Sequence, residues 1–218
     1  SFGIDESDFL CVYIGRIAEE KSIDLLIDMF SKIKDEKFKF MIVGRGRILD
    51  DLKKQAEKLG ISDRVIFTGE VPHDKVAAYY QMGDVFLNAS VSETQGLTFV
   101  EAMAAKTPVV ARYDLNLEDL LVKNEAGLVY RNEKEFIDSI MLLKENKEFR
   151  EKIIENAFVA SQDYTAQKFG ERVEAVYKKT IEEYDSRESF TIFRGEKFLQ
   201  QIRRWTSLKS SGRSPWSK

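Results

Sequence analysis

Six short apolar runs, separated by longer segments with helical periodicity, constrain the fold of this chain more than any other feature. The runs are rich in β-branched and aromatic residues, and most end at a glycine or a polar turn, as buried parallel strands do. They occupy residues 9–15, 38–44, 64–69, 85–89, 108–111 and 127–130. Strands that alternate with helices require parallel crossover connections. The sequence therefore predicts an α/β fold with a Rossmann-like, doubly wound parallel sheet of six strands.

The segments between the runs repeat apolar residues at spacings of three and four, which predicts amphipathic helices. These segments are 23–33, 48–60, 74–83, 98–106 and 116–122. After the sixth run, residues 133–146, 148–160 and 166–184 are predicted to form three more helices. Asn132 is suited to cap the first of these, with Glu135 completing a capping box. We expect one domain over residues 1–185 and a distinct tail over residues 186–218.

Composition and hydropathy indicate a globular protein without a membrane span. The chain has 218 residues, 43% of them hydrophobic, and no apolar run approaches the roughly 18 residues that cross a bilayer. The first residues lack the basic start and apolar stretch of a signal peptide, so we expect a cytoplasmic location. Cys11 stands alone within a strand-like run, which favours a buried thiol over a nucleophile or a metal ligand.

Charge is distributed unevenly along the chain. Residues 189–218 contain seven basic residues and one acidic residue, a net charge of +6, so the whole-chain charge of -3 leaves -9 on residues 1–188. An acidic body argues against nucleic acid as the main partner, because phosphate neutralisation needs a basic face. Within the tail, Phe198, Ile202 and Trp205 recur at helical spacing with basic residues between them. This pattern fits either an anionic membrane surface or packing against another domain.

The loops after the first and fourth strands form the expected ligand site. In a sheet with strand order 3-2-1-4-5-6 the chain reverses between strands one and four, and ligands bind beyond the carboxyl ends of these strands. The loop GRIAEEKS (15–22) follows strand one and carries Arg16 and Lys21, and the loop SETQGLT (92–98) follows strand four and leads into a helix. We therefore expect two cations to face a helix N-terminus across one crevice.

Two cations opposite a helix N-terminus are suited to a diphosphate. Arg16 can form a bidentate bond, Lys21 adds a point charge, and the first amides of the helix supply directed donors. A carboxylate beside phosphate is useful where it accepts from hydroxyls, so Glu93 and Glu101 would each bind one sugar of a nucleotide sugar. Two alternatives stay open. Glu101 could instead form a capping box with Thr98, and the two cations could be solvated surface residues.

Four segments share a pattern with one enzyme family. They are GRIAEEKS, VGRGRILDDLKKQAEKLG, the stretch from VIFTGEVPHDK through SETQGLTFVEAMAAKTPVVA, and AGLVY. Together they resemble the nucleotide-sugar-binding half of GT-B glycosyltransferases, specifically the retaining enzymes of glycosyltransferase family 4, also described as glycosyl transferases group 1. The resemblance extends from about residue 9 to residue 179, and the glutamate pair together with the GRxxxEK loop is its most specific part.

The resemblance implies a catalytic group of three residues. Arg16 and Lys21 would bind the diphosphate and assist departure of the leaving group. Glu93 would contact the donor hexose, whereas Glu101 would bind the ribose hydroxyls.

The resemblance also implies a set of nucleotide-binding positions. Besides Arg16, Lys21 and the two glutamates, they are Gly15, Gly44, Glu70, Val71, Gly96, Leu97 and Thr98. The pair after strand three would hold the base through backbone atoms, the amides of residues 96–98 would bind phosphate, and Gly44 would leave room beside the nucleotide.

The chain departs from the family pattern at two places. Lys106 stands where the family usually has a glycine after the helix, so a left-handed helix end must accept a side chain at a cost of about 1 kcal/mol. The glycine pair that usually follows strand five is replaced by RYDLNLEDLL (112–121). That replacement resembles family members that glucosylate diacylglycerol or other lipids.

The resemblance implies the donor-binding domain of a retaining hexosyltransferase that uses a nucleotide-diphosphate sugar, with UDP-hexose expected. The acceptor, a lipid or a glycan, would bind an N-terminal domain that we expect to be absent from this chain, so the chain alone should be inactive. We expect no obligatory metal, because Arg16, Lys21 and the helix terminus can neutralise a leaving diphosphate. The tail could hold the protein at the inner face of the membrane. The alternative is a non-catalytic nucleotide-sugar-binding partner subunit.

Overall fold

The computed structural model describes residues 2–90 and 96–186 and contains a six-stranded parallel sheet. The strands are β1 (Phe9–Ile14), β2 (Phe38–Val43), β3 (Val65–Gly69), β4 (Val85–Asn88), β5 (Val109–Arg112) and β6 (Leu128–Tyr130). Their order across the sheet is β3-β2-β1-β4-β5-β6, and all neighbouring strands are parallel. The predicted doubly wound sheet is confirmed, with the reversal of chain direction between β1 and β4.

Helices fill the connections between the strands and follow the last strand. They are α1 (Ile23–Phe30), α2 (Leu49–Lys58), α3 (Val76–Met82), α4 (Leu97–Ala104), α5 (Glu133–Glu145), α6 (Lys147–Ser161) and α7 (Ala166–Ser186). Each lies within or close to the segment in which the sequence predicts a helix. For these seven helices, the apolar periodicity therefore made errors only at the ends.

The core consists of two apolar layers, one on each face of the sheet. Side chains of β1 alternate between them: Cys11 and Tyr13 belong to the layer beneath α1, α2 and α5, while Leu10, Val12 and Ile14 belong to the layer beneath α3 and α4. Every residue of β1 is buried, as expected for a central strand covered on both faces. Burial raises the pKa of the Cys11 thiol, which keeps it protonated and unreactive as predicted.

Residues 116–122 do not form the α-helix that the sequence predicts. A 3₁₀ turn at Leu115–Leu117 passes into a single π-helical turn at Glu118–Val122. The carboxylate of Asp114 accepts a hydrogen bond from the backbone N–H of Asn116 at 2.8 Å, which favours the tighter turn at the start. Asn124 then donates to the carbonyl of Asp119 at 2.7 Å and closes the wider turn. The apolar spacing identified the buried face but not the helix type.

The predicted cap of α5 is confirmed. The side-chain oxygen of Asn132 accepts from the backbone N–H of Glu135 at 3.0 Å. The Glu135 carboxylate reaches back to the backbone N–H of Arg131 at 2.7 Å and to the side-chain amide of Asn132 at 2.8 Å. Two backbone donors at this helix start are therefore satisfied by side chains.

Lys106 adopts the left-handed conformation that the sequence predicts, with a φ of 64°. Its ammonium group lies 4.8 Å from the centroid of the Phe158 ring on α6. A cation over an aromatic face contributes about 0.5–1 kcal/mol at an exposed site, which offsets part of the backbone strain. The lysine thus connects the end of α4 to α6, a contact that glycine could not make.

The chain divides into two compact units, Ser1–Phe169 and Gly170–Lys218. The sheet and α1–α6 belong to the first unit, and the part of α7 after Phe169 belongs to the second. The tail predicted over residues 186–218 lies almost wholly outside the described residues, so its boundary and its role stay predictions. In the part of the chain that the structure describes, no helix has the length and apolar character needed to cross a bilayer.

Candidate functional site

The loops that follow β1 and β2 press against each other at the carboxyl edge of the sheet. The N–H of Gly15 donates to the carbonyl of Val43 at 3.0 Å, and the N–H of Ile17 donates to the carbonyl of Arg45 at 2.9 Å. A Cβ atom on Gly44 would lie 1.9 Å from the carbonyl oxygen of Gly15. A side chain at this position would therefore overlap the backbone of the neighbouring loop, so the packing of the two loops requires a glycine here. The role of Gly44 in leaving room beside the nucleotide stays a prediction.

Gly46 lies in the same contact and tolerates a side chain even less. A Cβ atom there would come within 1.6 Å of the carbonyl oxygen of Ile17, which is backbone and cannot rotate away. Glycine is thus required twice within three residues for the two loops to approach. This packing gives the edge of the sheet a fixed shape on which a ligand site can be built.

A cavity of about 720 Å³ opens beside these loops, at the carboxyl ends of β1, β2 and β3. Five of the predicted site residues line it, namely Gly15, Arg16, Gly44, Glu70 and Val71. Its position agrees with the general rule for ligands in doubly wound sheets. The loops after three different strands therefore meet at one cavity, although they are far apart in sequence.

The charged residues that line the cavity are predominantly basic. Arg16, Arg45 and Arg47 all contribute to it, together with the single carboxylate of Glu70. Arg45 forms an ion pair with Glu70 at 3.0 Å across the mouth, with both side chains more than half exposed. Exposed pairs of this kind contribute only about 0–1 kcal/mol, so a bound anion can compete for the guanidinium at little cost. Arg45 and Arg47 are not among the predicted site residues, although two arginines within a glycine-rich loop after a strand are a usable signal.

Arg16 is anchored by its backbone while its guanidinium faces solvent. The hydroxyl of Tyr13 donates to the carbonyl oxygen of Arg16 at 2.9 Å. Its guanidinium forms an ion pair with Glu20, one turn further along the loop. Lys21 closes a 3₁₀ turn in the same loop and is half-buried, but it does not line the cavity. The two predicted cations therefore share a loop, and one of them reaches the cavity in this structure.

The loops after β1 and β4 meet at the point where the chain direction reverses. The hydroxyl of Ser90 donates to the carbonyl of Glu20 at 3.4 Å, which joins the end of the β4 loop to the β1 loop. Asn88 fixes the start of the β4 loop by accepting from the N–H of Ser90 at 2.7 Å. Glu93, the predicted hexose ligand, lies outside the described residues, which exclude 91–95.

The start of α4 differs from the capping-box alternative. Gly96, with a φ of 60°, is the N-cap of the helix, which begins at Leu97, and no side chain of the described residues caps it. Thr98 is therefore inside the first turn, and its hydroxyl oxygen is buried without a hydrogen-bond partner within residues 2–90 and 96–186. Thr98 and Glu101 do not form a capping box, because the N-cap position belongs to a glycine two residues earlier.

Glu101 makes a contact that the sequence did not reveal. Its Oε2 atom accepts a hydrogen bond from the hydroxyl of Tyr80 on α3 at 3.1 Å. Burial raises the pKa of Tyr80, and the neighbouring Glu101 charge and hydrogen bond raise it further, so the hydroxyl remains a donor. Tyr80 is itself held by the hydroxyl of Thr107, which donates to its carbonyl at 2.7 Å. No periodicity distinguishes this tyrosine from its neighbour Tyr79, so only the fold could identify it.

The predicted residues thus fall into two groups along one edge of the sheet. The first group lines the 720 Å³ cavity beyond β1, β2 and β3. The second group, which consists of Gly96, Leu97, Thr98 and Glu101, forms or follows the start of α4 after β4. No three His, Cys, Asp or Glu side chains within residues 2–90 and 96–186 are grouped so that they could hold a metal ion. The edge as a whole presents arginines and a helix N-terminus to a ligand.

The sequence profile of the family described as "Glycosyl transferases group 1" matches residues 1–159 of the chain. The chain is 31% identical over 182 residues to the alpha-monoglucosyldiacylglycerol synthase of Acholeplasma laidlawii, covering 83% of this chain and 46% of that protein. It is 34% identical over 182 residues to the protein of the same name from Streptococcus pneumoniae (strain ATCC BAA-255 / R6), covering 82% of this chain and 41% of that protein. The chain therefore spans about half the length of these curated relatives.

A solved structure with the same fold is that of Anabaena Alr3699/HepE in complex with UDP and glucose. It superimposes with a TM-score of 0.72 at 21% sequence identity, covering 79% of this chain and 49% of that one. An identity this low shows the fold alone. The described sheet and helices correspond to one half of the two-domain GT-B architecture.

Proposed function

The chain belongs to the family of glycosyl transferases group 1, and from that premise we propose that it is the donor-binding half of a retaining glycosyltransferase of family 4. The observation that carries this proposal is the basic cavity at the carboxyl ends of β1, β2 and β3, which Arg16 and Glu70 enter from different loops. A nucleotide-diphosphate sugar needs a positive region for phosphate and hydrogen-bond acceptors for hydroxyls. Arginines and carboxylates both lie along the carboxyl edge of the sheet.

The diphosphate would occupy the region between the β1 loop and the start of α4. Arg16 forms an exposed ion pair with Glu20, and its guanidinium could exchange this partner for a phosphate. Lys21 lies five residues further along the same loop and would have to move to reach the same phosphate. The amides of Leu97 and Thr98 open α4 and would donate to the phosphate from the opposite side. The buried Thr98 hydroxyl would then obtain the partner that it lacks among the described residues.

The nucleoside would make two sets of contacts with the protein, one through its base and one through its ribose. The base would lie against Glu70 and Val71, which line the cavity after β3 and offer backbone donors and acceptors. The ribose would bind Glu101, whose carboxylate is oriented by the Tyr80 hydroxyl. We assign the base as uracil, a choice supported by a structural neighbour whose complex contains UDP and glucose.

The transferred hexose would bind Glu93, the residue that the family resemblance assigns to the donor hexose. Arginine, lysine and the helix N-terminus together would neutralise the leaving diphosphate, so the reaction would need no obligatory metal. The acceptor would be a lipid or a glycan, and a lipid is favoured by the two relatives whose names specify a glucosyldiacylglycerol product. It would bind a further domain outside this chain. Glycosyl transfer would take place at the cytoplasmic face of a membrane, with residues 186–218 as the membrane-binding segment.

Calorimetric titration of the 218-residue chain with UDP, GDP and ADP tests the donor assignment. UDP should bind with a micromolar to millimolar dissociation constant and raise the melting temperature, because the phosphate, ribose and base contacts all lie within this chain. GDP and ADP should bind more weakly. Absence of heat and of a thermal shift for all three nucleotides would contradict the proposal.

A further inference from the structure

A second cavity, of about 550 Å³, lies on the face of the sheet covered by α1 and α5, beside the ends of β5 and β6. None of its lining residues lines the 720 Å³ cavity. Three of them are cations from three separate segments, namely Lys32, Arg112 and Arg131. We propose that this cavity is a second anion site, which binds the phosphate group of a polyol phosphate ester.

Two of the three cations lie at the ends of neighbouring strands. Arg112 is the last residue of β5 and pairs in register with Tyr130, the last residue of β6. Arg131 follows Tyr130 directly, and its guanidinium lies 3.9 Å from the centroid of the Tyr113 ring. Stacking on an aromatic face limits the freedom of a guanidinium while its N–H donors stay available at the edges. The two arginines therefore form a basic wall, in which the Arg131 guanidinium is preoriented.

The wall is built from a segment that departs from the family pattern. Arg112 and Tyr113 open the stretch 112–121, which replaces the glycine pair usual after strand five. Glycines could supply neither the guanidinium nor the ring on which Arg131 stacks. The basic lining of the second cavity thus depends in part on this replaced segment, and none of its lining residues belongs to the predicted nucleotide site.

Among the described residues, the three cations form no ion pair, although the protein around them is acidic. Residues 1–188 carry a net charge of -9, and cations elsewhere on the same unit form ion pairs, as Lys144 does with Asp35 and Lys152 with Glu125, each at 2.7 Å. Within residues 2–90 and 96–186, none of Lys32, Arg112 and Arg131 forms an ion pair. Like charges that share a cavity repel one another, so an anion that enters it is favoured by all three.

The two carboxylates in the lining define the rest of the ligand. Asp28 already accepts a hydrogen bond from the side-chain amide of Gln55 at 2.8 Å, which ties it to α2. Glu133 is exposed in the first turn of α5. A carboxylate next to an anion is repelled by the charge but can accept hydrogen bonds from hydroxyls. In a phosphate ester with hydroxyls on adjacent carbons, the phosphate would bind the cations and the hydroxyls would donate to the two carboxylates. The ester could be soluble or the headgroup of a phospholipid.

Arginine side-chain NMR of the 218-residue chain tests the site directly. The Nε–H signals of Arg112 and Arg131, assigned by substitution, are followed during titration with inorganic phosphate, with glycerol 3-phosphate, and with vesicles of phosphatidylglycerol or phosphatidylcholine at constant ionic strength. We expect saturable shifts of both signals, with glycerol 3-phosphate binding more tightly than inorganic phosphate. A response to the soluble ester alone identifies a soluble ligand, and a stronger response to phosphatidylglycerol vesicles identifies a lipid headgroup. The readout is independent of nucleotide binding.

A matched pair of variants separates the site from general charge effects. Arg112→Gln with Arg131→Gln should weaken binding of glycerol 3-phosphate at least about tenfold, because two charge-assisted contacts are lost. Lys123→Gln with Lys147→Gln removes the same charge from exposed lysines outside the cavity lining and should change binding less than twofold. Circular dichroism verifies that both variants are folded. The proposal is overturned if neither arginine signal shifts saturably with any of the probes, or if the two double variants lose binding equally.

Discussion

The hydroxyl of Tyr80 donates a hydrogen bond to Oε2 of Glu101 across 3.1 Å, which links α3 to α4 behind the proposed ribose site. Tyr80 is almost completely buried, whereas Glu101 is exposed. One carboxylate oxygen is thereby fixed from the protein side, and the other remains available to a ligand. A preoriented carboxylate loses less entropy when it binds a hydroxyl than a free one does.

Tyr80→Phe should weaken UDP binding by about threefold to tenfold, because Glu101 loses the donor that orients it. The ring stays in place, so the free energy of unfolding should change by less than about 1 kcal/mol. Tyr79→Phe is the matched control, since Tyr79 is the neighbouring tyrosine and makes no contact with Glu101 among the contacts described. Calorimetry and urea denaturation of both variants measure the two effects. Equal UDP affinities for Tyr80→Phe and Tyr79→Phe would remove the positioning role.

Glu101→Gln should weaken UDP and UDP-glucose alike, by about 1–3 kcal/mol, because both ligands contain the ribose. Glu93→Gln should leave UDP binding unchanged and weaken only UDP-glucose, because Glu93 is assigned to the hexose. Titration of both variants with both ligands separates the two roles. If Glu101→Gln affected neither ligand, the ribose assignment would be wrong.

Thr98→Val tests whether the buried threonine hydroxyl binds phosphate. Valine has nearly the same shape, so the substitution removes the hydroxyl without opening a large cavity. We expect UDP affinity to fall by about 1 kcal/mol, while the unliganded protein becomes no less stable, because an unpartnered buried hydroxyl carries a desolvation cost. Unchanged UDP affinity with a clear loss of stability would instead indicate a structural partner.

Gly46→Ala should destabilise the protein by about 2 kcal/mol or more, because the new Cβ would overlap the carbonyl oxygen of Ile17. Gly170→Ala is the control. That glycine lies within α7, and outside its own helical backbone no atom of the described residues lies within 4 Å of the position that a Cβ would take, so alanine should be neutral or stabilising by up to about 1 kcal/mol. Urea denaturation measures both. Similar effects for the two variants would mean that the loops after β1 and β2 can separate at little cost.

The sequence predicted the sheet well because its signal is local. A run such as residues 9–15 is apolar throughout, since every residue of β1 is buried between two layers of helices. The cap of α5 was equally local, because Asn132 and Glu135 are three residues apart. Features that depend on residues adjacent in sequence were therefore accessible before the fold was known.

The features that were missed depend on contacts between distant segments. The need for glycine at position 44 to accommodate the Gly15 carbonyl, 29 residues away along the chain, is visible only in the fold. Tyr80 and Glu101 are 21 residues apart and belong to different helices. Arg45 and Arg47 enter the cavity because the β2 loop is pressed against the β1 loop. Periodicity reports which face of an element is buried, but it carries no information on which loops meet.

The most direct test of the account compares UDP with uridine as ligands of Arg16→Ala and Lys21→Ala. Both residues are assigned to the diphosphate, so each substitution should weaken UDP binding at least about tenfold and change uridine binding less than twofold. Lys58→Ala, at the exposed end of α2, removes one positive charge away from the site and should affect neither ligand. If UDP and uridine lost affinity equally in the two site variants, or if UDP lost none, the loop after β1 would not bind the diphosphate and the donor-site assignment would be contradicted.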